Sequence, residues 1–189
     1  MKHPVLGEFE ERARKAGAIV RDGYDQPHTV SYKGIIDPVT EVDHASEKFI
    51  LSEIARRWPD STIRSEESGL TPGGTEHAWY VDPLDGTVNY AHKVPIFCVS
   101  IAYAHEGAVE LGAVYDPMRD EMFHAAAGRG ASLNGAPIRV SGVAELGKSL
   151  LATGFPYDLR TSPVNNLGNW GRFLFRRDVP SSAPRILHS

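Results

Sequence analysis

Cysteine is nearly absent from this chain, and so are long apolar runs. Cys98 is the only cysteine among 189 residues, which excludes an internal disulfide and is typical of a protein kept in a reducing cytosol. Charged side chains interrupt the apolar ones from Met1 to Val20, and no uncharged apolar stretch of membrane-spanning length follows. The sequence therefore predicts neither a signal peptide nor a transmembrane helix, and indicates a soluble, cytoplasmic protein with no membrane partner.

Positive charge is also in short supply. The chain has 20 lysines and arginines against 24 aspartates and glutamates, which gives a net charge of -4. No basic surface is predicted, so nucleic acid is not an expected partner. Apolar residues make up 41% of the chain, and a chain of this length can bury a core within one domain.

Hydrophobic spacing divides the chain into helices and strands. Helical spacing covers residues 4–22 and 165–175, and a second helix is predicted from Asp43, as its N-cap, to Arg57. A hairpin turn is predicted at Glu106-Gly107. Strands are predicted at residues 62–65, 78–82, 96–105, 108–115, 121–126, 138–141 and 150–153. Two helices, a run of largely antiparallel strands and a further helix predict an α+β layered domain.

An acidic turn follows one of the predicted strands. Asp82 closes the strand, Asp85 lies three residues later, and the Leu84 carbonyl between them can face the same side. Two carboxylates and a carbonyl form an all-oxygen site, which suits a hard cation such as Mg²⁺. Gly86 leaves room for a phosphate, and a helix opening at Thr87 would point amide groups at that anion. Taken alone, the turn is explained equally well as an ordinary surface turn.

Other acidic residues lie at further element boundaries. Glu66-Glu67 follow the short strand predicted at residues 62–65, and Asp43 and Thr40 lie upstream. Paired glutamates are usually solvated, but this pair precedes the loop that leads into the strand ending at Asp82. The arrangement predicts that these acids converge above one edge of the sheet.

These segments resemble the N-terminal signatures of the inositol monophosphatase family, over residues 5–177. The resemblance implies a layered α/β sugar-phosphatase fold, with the N-terminal helices packed on a largely antiparallel sheet, and magnesium-dependent, lithium-sensitive catalysis. It is carried by Asp37-Pro38-Val39-Thr40-Glu41-Val42-Asp43, Ser65-Glu66-Glu67-Ser68, Asp82-Pro83-Leu84-Asp85-Gly86-Thr87-Val88-Asn89-Tyr90, Gly112-Ala113-Val114-Tyr115-Asp116-Pro117 and Gly154-Phe155-Pro156-Tyr157-Asp158.

The resemblance assigns metal ligands residue by residue. Glu66, Asp82 and the Leu84 carbonyl would hold one Mg²⁺, and Asp82 with Asp85 would hold a second. Glu67 would orient a water molecule at the metal.

It also assigns the groups that would act on the substrate. Asp43 and Thr87 would form the pair that activates the attacking water, without a phospho-enzyme. Gly86 and Thr87 would bind the phosphate, and Lys33 would lie near it.

The implied substrate is a small phosphorylated polyol or sugar, with inositol monophosphate first and histidinol phosphate or a 3',5'-bisphosphonucleotide as alternatives. The resemblance also implies a homodimer. A different class of function stays open, in which the chain is a catalytically impaired fragment that serves as a metal-binding or interaction module.

The family signatures that would follow residue 177 do not appear in this sequence. We therefore expect residues 1–177 to form an incomplete domain that lacks the C-terminal α/β half, and residues 178–189 to be an aberrant tail left by a frameshift or a truncated gene. Such a chain is expected to show weak metal binding and little turnover, and its apolar stripe at Leu167, Trp170 and Phe173 is expected to favour self-association.

Three further features predict no function of their own. Gly142 to Ser149 matches the P-loop pattern, but only four residues separate it from Gly154-Phe155-Pro156, so a loop is predicted instead of an NTPase site. The eight histidines show no metal-ligand spacing along the chain. Cys98 lies in an apolar strand and is predicted to belong to the core and not to act as a nucleophile.

Overall fold

The structure is a computed structural model that describes residues 3–26, 30–32, 38–154, 162, 166–174 and 187–188. The chain separates into two compact units, Met1–Arg139 and Val140–Ser189. No helix within the described ranges combines the length and the apolar character needed to span a membrane.

The first unit is built on one eight-stranded sheet with three helices. The helices are α1 (Leu6–Tyr24), α2 (Glu41–Arg57) and α3 (Thr87–Ala91). The strands of the unit are β1 (Val30–Tyr32), β2 (Pro38–Thr40), β3 (Ser61–Ser65), β4 (Gly69–Thr71), β5 (Gly74–Asp85), β6 (Cys98–His105), β7 (Ala108–Asp116), β8 (Glu121–Ala126), β9 (Gly130–Leu133) and β10 (Ala136–Ile138). The sheet order is β10-β9-β8-β7-β6-β5-β3-β4, and β1 and β2 pair separately.

Helices α1 and α2 cover one face of this sheet. On α1, Phe9, Ala13 and Val20 are fully buried, and the Phe9 ring stacks on Trp79 of β5 with centroids 5.1 Å apart. On α2, Ile50 and Ile54 are fully buried. The apolar faces that these helices and strands present at intervals of 3.6 and 2 residues therefore pack together in a single core.

The neighbours of the sheet are antiparallel except for β3 and β5, which run parallel. The α+β prediction and the largely antiparallel sheet are thus confirmed. The predicted hairpin between β6 and β7 is also present, with Glu106 and Gly107 both at positive φ (48° and 81°), as a tight turn that matches strand twist requires.

Several boundaries differ from those predicted. Helix α2 begins at Glu41 with Thr40 as its N-cap, so Asp43 is the third helical residue and its prediction as the N-cap was wrong. Pro83 does not end its strand, because β5 continues to Asp85 through a shift of register against β6. The strand predicted at 138–141 lies earlier, at Ala136–Ile138.

The second unit contains β11 (Ala152–Thr153), α4 (Leu167–Leu174) and β12 (Leu187–His188), preceded by a 3₁₀ turn at Leu146–Lys148. Strands β11 and β12 pair in parallel. In this described part, no helix opens at Lys148-Ser149, which agrees with the rejection of a P-loop. Leu167 and Phe173 of α4 are about half exposed.

Candidate active site

The parallel pairing of β3 and β5 brings two acids together. Ser65 lies opposite Val81, and the Glu66 amide donates a hydrogen bond to the Val81 carbonyl at 3.0 Å. The residues that follow, Glu66 and Asp82, therefore emerge side by side and share a side-chain hydrogen bond. The two residues are sixteen positions apart in the chain, and the register of β3 against β5 brings them together.

The turn after Asp82 folds back on its own carboxylate. The Leu84 amide donates to Asp82 Oδ1 at 3.2 Å, and the Ser46 hydroxyl of α2 donates to the Pro83 carbonyl at 2.8 Å. Asp85 then rejoins the sheet opposite Cys98. This irregular end of β5 fixes both aspartates and the Leu84 carbonyl within one turn, as the sequence predicts.

The electrostatics of this turn favour a cation. Burial and, second to it, repulsion from Asp85 together raise the pKa of Asp82 to about 6. A raised carboxyl pKa means that the ionised form lacks sufficient compensation. The donor set is all oxygen, which is the set that Mg²⁺ and Ca²⁺ prefer. The residues present therefore fit a hard divalent cation.

A buried pair of side chains lies beside the turn. Thr87 Oγ1 lies 3.1 Å from Asp43 Oδ1 and 3.0 Å from the Leu84 carbonyl oxygen. The other carboxylate oxygen of Asp43 accepts hydrogen bonds from the Thr40 amide at 2.9 Å and the Thr40 hydroxyl at 2.5 Å. Because Asp43 is fully buried and held at both oxygens, it fixes the position of the Thr87 hydroxyl.

Gly86 is required by the backbone itself. Its φ is +95°, and an added Cβ would lie 2.9 Å from the Ile96 carbonyl oxygen and 3.2 Å from Phe97 Cβ. A side chain is excluded here by the protein's own atoms, whatever the ligand. Thr87 opens α3 with Gly86 as the N-cap, as the sequence predicts.

A sequence model of the family described as "Inositol monophosphatase family" matches residues 1–179. The chain belongs to the inositol monophosphatase family. The Nus factor SuhB of Escherichia coli (strain K12) is 43% identical over 172 residues, which cover 88% of this chain and 64% of that protein. Inositol monophosphatase 3 of Solanum lycopersicum is 45% identical over 147 residues, 76% of this chain and 55% of that protein.

A solved inositol monophosphatase structure from Anabaena (Nostoc) sp. PCC 7120 matches the fold with a TM-score of 0.80 at 39% identity. The match covers 97% of this chain and 66% of that chain. The fold implied by the resemblance is thus confirmed. The chain spans less than two thirds of the length of these curated relatives.

One member of this inositol monophosphatase-family site was missed from the sequence. Glu47, buried on α2, accepts hydrogen bonds at Oε1 from the Ser65 hydroxyl at 2.5 Å, the Ser68 amide at 2.9 Å and the Ser68 hydroxyl at 2.9 Å. It therefore ties the turn that carries Glu66 and Glu67 to the helix that carries Asp43. The sequence did contain a signal for Glu47, because it follows Asp43 by four positions and so lies on the same face of the helix.

The structure gives a different result for each of the remaining residues that the sequence analysis singled out. Glu67 is half-buried, and its Oε2 atom is shielded from solvent. Lys33 lies outside the described residues, so its place near the phosphate stays a prediction. Cys98 is half-buried, and burial raises the pKa of its thiol to about 12, with Asp85 next in effect. A thiol that keeps its proton is a poor nucleophile, which agrees with that part of the prediction. The prediction that Cys98 belongs to the core was wrong, because the residue is partly exposed and its thiol lies 3.6 Å from Asp85 Oδ2.

Proposed function

We propose that this chain hydrolyses a small phosphomonoester in a Mg²⁺-dependent reaction. The observation that supports this proposal is the convergence of Glu66, Asp82 and the Leu84 carbonyl beside the buried Thr87–Asp43 pair. The acids supply a place for cations, and the pair supplies a hydroxyl that can receive a proton from water. Phosphoryl transfer to water needs both functions within one site.

The cation ligands in this proposal are Glu66, Asp82 and the Leu84 carbonyl for one Mg²⁺, and Asp82 with Asp85 for a second. When bound, Mg²⁺ neutralises phosphate charge and lowers the pKa of water. Asp82 is the shared ligand, which agrees with its position between Glu66 and Asp85. Glu67 orients water from its half-buried position on the turn after β3.

The proton route runs through Thr87. In the proposed arrangement the Thr87 hydroxyl donates its hydrogen to Asp43 Oδ1, so a lone pair of Thr87 Oγ1 can accept a hydrogen bond from the attacking water. The water oxygen then forms a bond to phosphorus as its proton passes to Thr87 Oγ1 and the Thr87 proton passes to Asp43 Oδ1. The bond from phosphorus to the ester oxygen breaks, and that oxygen takes up a proton from a second water molecule. Gly86 and the first amides of α3 face the phosphate in this arrangement, and no phospho-enzyme is formed.

Inositol monophosphate is the substrate that we propose first. The support is family membership and the relative from Solanum lycopersicum, which is named an inositol monophosphatase. Histidinol phosphate and 3',5'-bisphosphonucleotides are the alternative substrates. Each is a phosphomonoester, so the same acids and the same Thr87–Asp43 pair would act on all three.

A second candidate is a role in metal binding or protein interaction with little turnover. The observation that favours it is the 43% identity to a protein named Nus factor SuhB, a name that describes no hydrolysis. The two candidates differ in one measurable respect. Both bind Mg²⁺, whereas only the first releases phosphate.

The test combines Mg²⁺ calorimetry with phosphate release from the three candidate substrates. We expect Mg²⁺ binding in the unmodified chain and its loss in Asp82→Asn and Asp85→Asn, while Asp60→Asn, an exposed control, behaves as the unmodified chain. Mg²⁺-dependent phosphate release that Asp85→Asn abolishes supports hydrolysis. Binding without release supports the second candidate, and no binding at all contradicts both.

A further inference from the structure

A second group of potential ligands lies at the opposite end of β5 and β6 from the acidic turn. His77 and His105 are paired across these two strands, Glu76 precedes His77, and Glu110 lies on β7. His3 reaches the same place from the segment that enters α1. Five residues separate His77 from Asp82, so the group lies about 16 Å along the strand from the acidic turn.

Three of these side chains converge with metal-site dimensions. The ligand atoms of His3, His105 and Glu110 all lie within 4.8 Å of one another. His3 Nδ1 is 3.6 Å from Glu110 Oε2, and His105 Nδ1 is 3.7 Å from Glu110 Oε1. Tetrahedral ligands placed 2.0–2.2 Å from Zn²⁺ are about 3.4 Å apart, so a small inward movement would complete the geometry.

The second nitrogen of His105 is already engaged with a carboxylate. His105 Nε2 lies 3.2 Å from Glu76 Oε1, and the hydrogen bond with His105 lowers the pKa of Glu76. When Nε2 donates its proton to Glu76, Nδ1 presents a lone pair towards Glu110. A metal-binding histidine has this arrangement, in which a carboxylate fixes the tautomer and the ring orientation.

An alternative group shares His105 and consists of Glu76, His77 and His105. It is less suited to a metal because His77 Nδ1 is 2.6 Å from the Tyr103 hydroxyl and the ring is buried. Its Nε2 is 3.9 Å from Glu76. The side chains of His3 and Glu110, by contrast, are 49% and 39% exposed, so a metal ion can enter from solution.

We propose that His3, His105 and Glu110 bind a transition-metal ion of the Zn²⁺ type, with Glu76 as the positioning residue and one coordination position open to solvent. Two imidazoles and one carboxylate are a ligand set that Zn²⁺ accepts and Mg²⁺ disfavours. The site is therefore chemically distinct from the all-oxygen turn at Asp82. Binding there would fasten the segment before α1 to the ends of β6 and β7.

The test uses the chain without a histidine tag, in the Asp82→Asn background and with excess Mg²⁺, so that the acidic turn does not contribute. Zn²⁺ calorimetry is expected to give one ion per chain, and Co²⁺ is expected to give the absorption bands of a nitrogen-ligated site. His3→Ala and Glu110→Gln should each weaken Zn²⁺ binding at least tenfold. Glu76→Gln should weaken it about 10- to 100-fold.

His44→Ala is the matched control, because His44 is exposed on α2 and outside both groups, and it should leave the affinity unchanged. Circular dichroism of each metal-free variant checks that the fold is retained. Zn²⁺ affinity that stays within twofold in both His3→Ala and Glu110→Gln overturns the proposal. So does binding that His77→Asn abolishes while His3→Ala does not.

Discussion

The Thr87 hydroxyl has two acceptors within hydrogen-bond distance, Asp43 Oδ1 and the Leu84 carbonyl oxygen. One hydroxyl hydrogen can serve only one of them at a time. In the proposed reaction a cation would engage the Leu84 carbonyl, which leaves Asp43 as the acceptor. Loading of the site would then direct the Thr87 hydrogen towards Asp43 and turn its lone pairs towards water.

We predict that Thr87→Val lowers kcat by about 10²- to 10⁴-fold, the contribution of a positioned proton-transfer group, with a small effect on KM. Thr87→Ser should keep most of the activity because it restores the hydroxyl. Steady-state phosphate release measures both. Thr71→Val, on the exposed edge strand β4, controls for the loss of a threonine, and a kcat unchanged in Thr87→Val would show that the proton follows another route.

The acids in the site could be assigned residue by residue only through the family resemblance, since the residues around them also suit an ordinary surface turn. Asp82 and Asp85 share one turn, and the turn chemistry of Pro83 and Gly86 marks them. Glu47 has only a weak local signal, its position four residues after Asp43 on one helix face, since a glutamate on a helix is ordinarily solvated. Its burial follows from the approach of the β3 turn to α2, which is a tertiary event.

At the scale of elements, α2 supplies two carboxylates to the site from one face. Asp43 receives the Thr40 and Thr87 donors, and Glu47 receives the donors of Ser65 and Ser68. The first two turns of the helix therefore link α3 and β3 to a common support. A shift of α2 would move both the Thr87 pair and the Glu66 turn.

Glu47 provides the test of this support. Its Oε1 atom accepts three hydrogen bonds, so we predict that Glu47→Ala lowers the free energy of unfolding by about 1–3 kcal/mol. The same change should weaken Mg²⁺ binding about 10- to 100-fold, as expected when a group that orients a ligand is removed. Glu47→Gln, which keeps one acceptor oxygen, should fall between the two.

Urea denaturation and Mg²⁺ calorimetry are the measurements. The control is Lys48→Gln, an exposed residue of the same helix, where a surface substitution changes the free energy of unfolding by at most about 0.5 kcal/mol. Equal Mg²⁺ affinity in Glu47→Ala and the unmodified chain would mean that the Glu66 turn holds itself in place.

Element prediction failed where strands are short or where one signal has two interpretations. Strands β1, β2, β4 and β9 have three or four residues, too few for an alternating pattern to be distinguished from a loop. At the start of α2, Thr40 and Asp43 are both favourable N-caps at the spacing of a capping box, and the sequence alone did not decide between them. Histidine spacing along the chain likewise gave no indication that His3 approaches β6.

At the scale of the whole molecule, the first unit concentrates unlike chemistry at the two ends of its central strands. Strand β5 carries His77 near its start and Asp82 and Asp85 at its end. The core between them, with Trp79 fully buried, keeps the two ends apart. The stability of the sheet beneath the acidic turn thus offsets the unfavourable free energy of its buried and mutually repelling carboxylates.

The raised pKa of Asp82 makes the stability of the metal-free chain depend on pH. The pKa of Asp82 is raised from 3.8 to about 6, so the folded state binds its proton more tightly than the unfolded state. Stability from this group is complete below about pH 4 and is lost as the pH rises through 6. We predict that Asp82→Asn stabilises the metal-free fold at neutral pH by about 1–2 kcal/mol, a figure discounted for the partial exposure of the carboxylate.

Urea denaturation at neutral and acidic pH measures this difference, with Asp60→Asn as the control. Mg²⁺ should stabilise the unmodified chain at neutral pH and leave Asp82→Asn unaffected. Destabilisation of the metal-free chain by Asp82→Asn at neutral pH would show that the carboxylate is well compensated in the fold.

The parallel pairing of β3 with β5 also shows which residues between Glu66 and Asp82 are constrained by strand register and which are not. Alignment of Ser65 with Val81 fixes the meeting of Glu66 and Asp82, while the exposed edge strand β4 (Gly69–Thr71) between them pairs with β3 alone. Substitution of the exposed Leu70 side chain should therefore leave the acidic turn in place. Removal of one residue from β3 would instead present Ile63 to water and turn its polar neighbours inward.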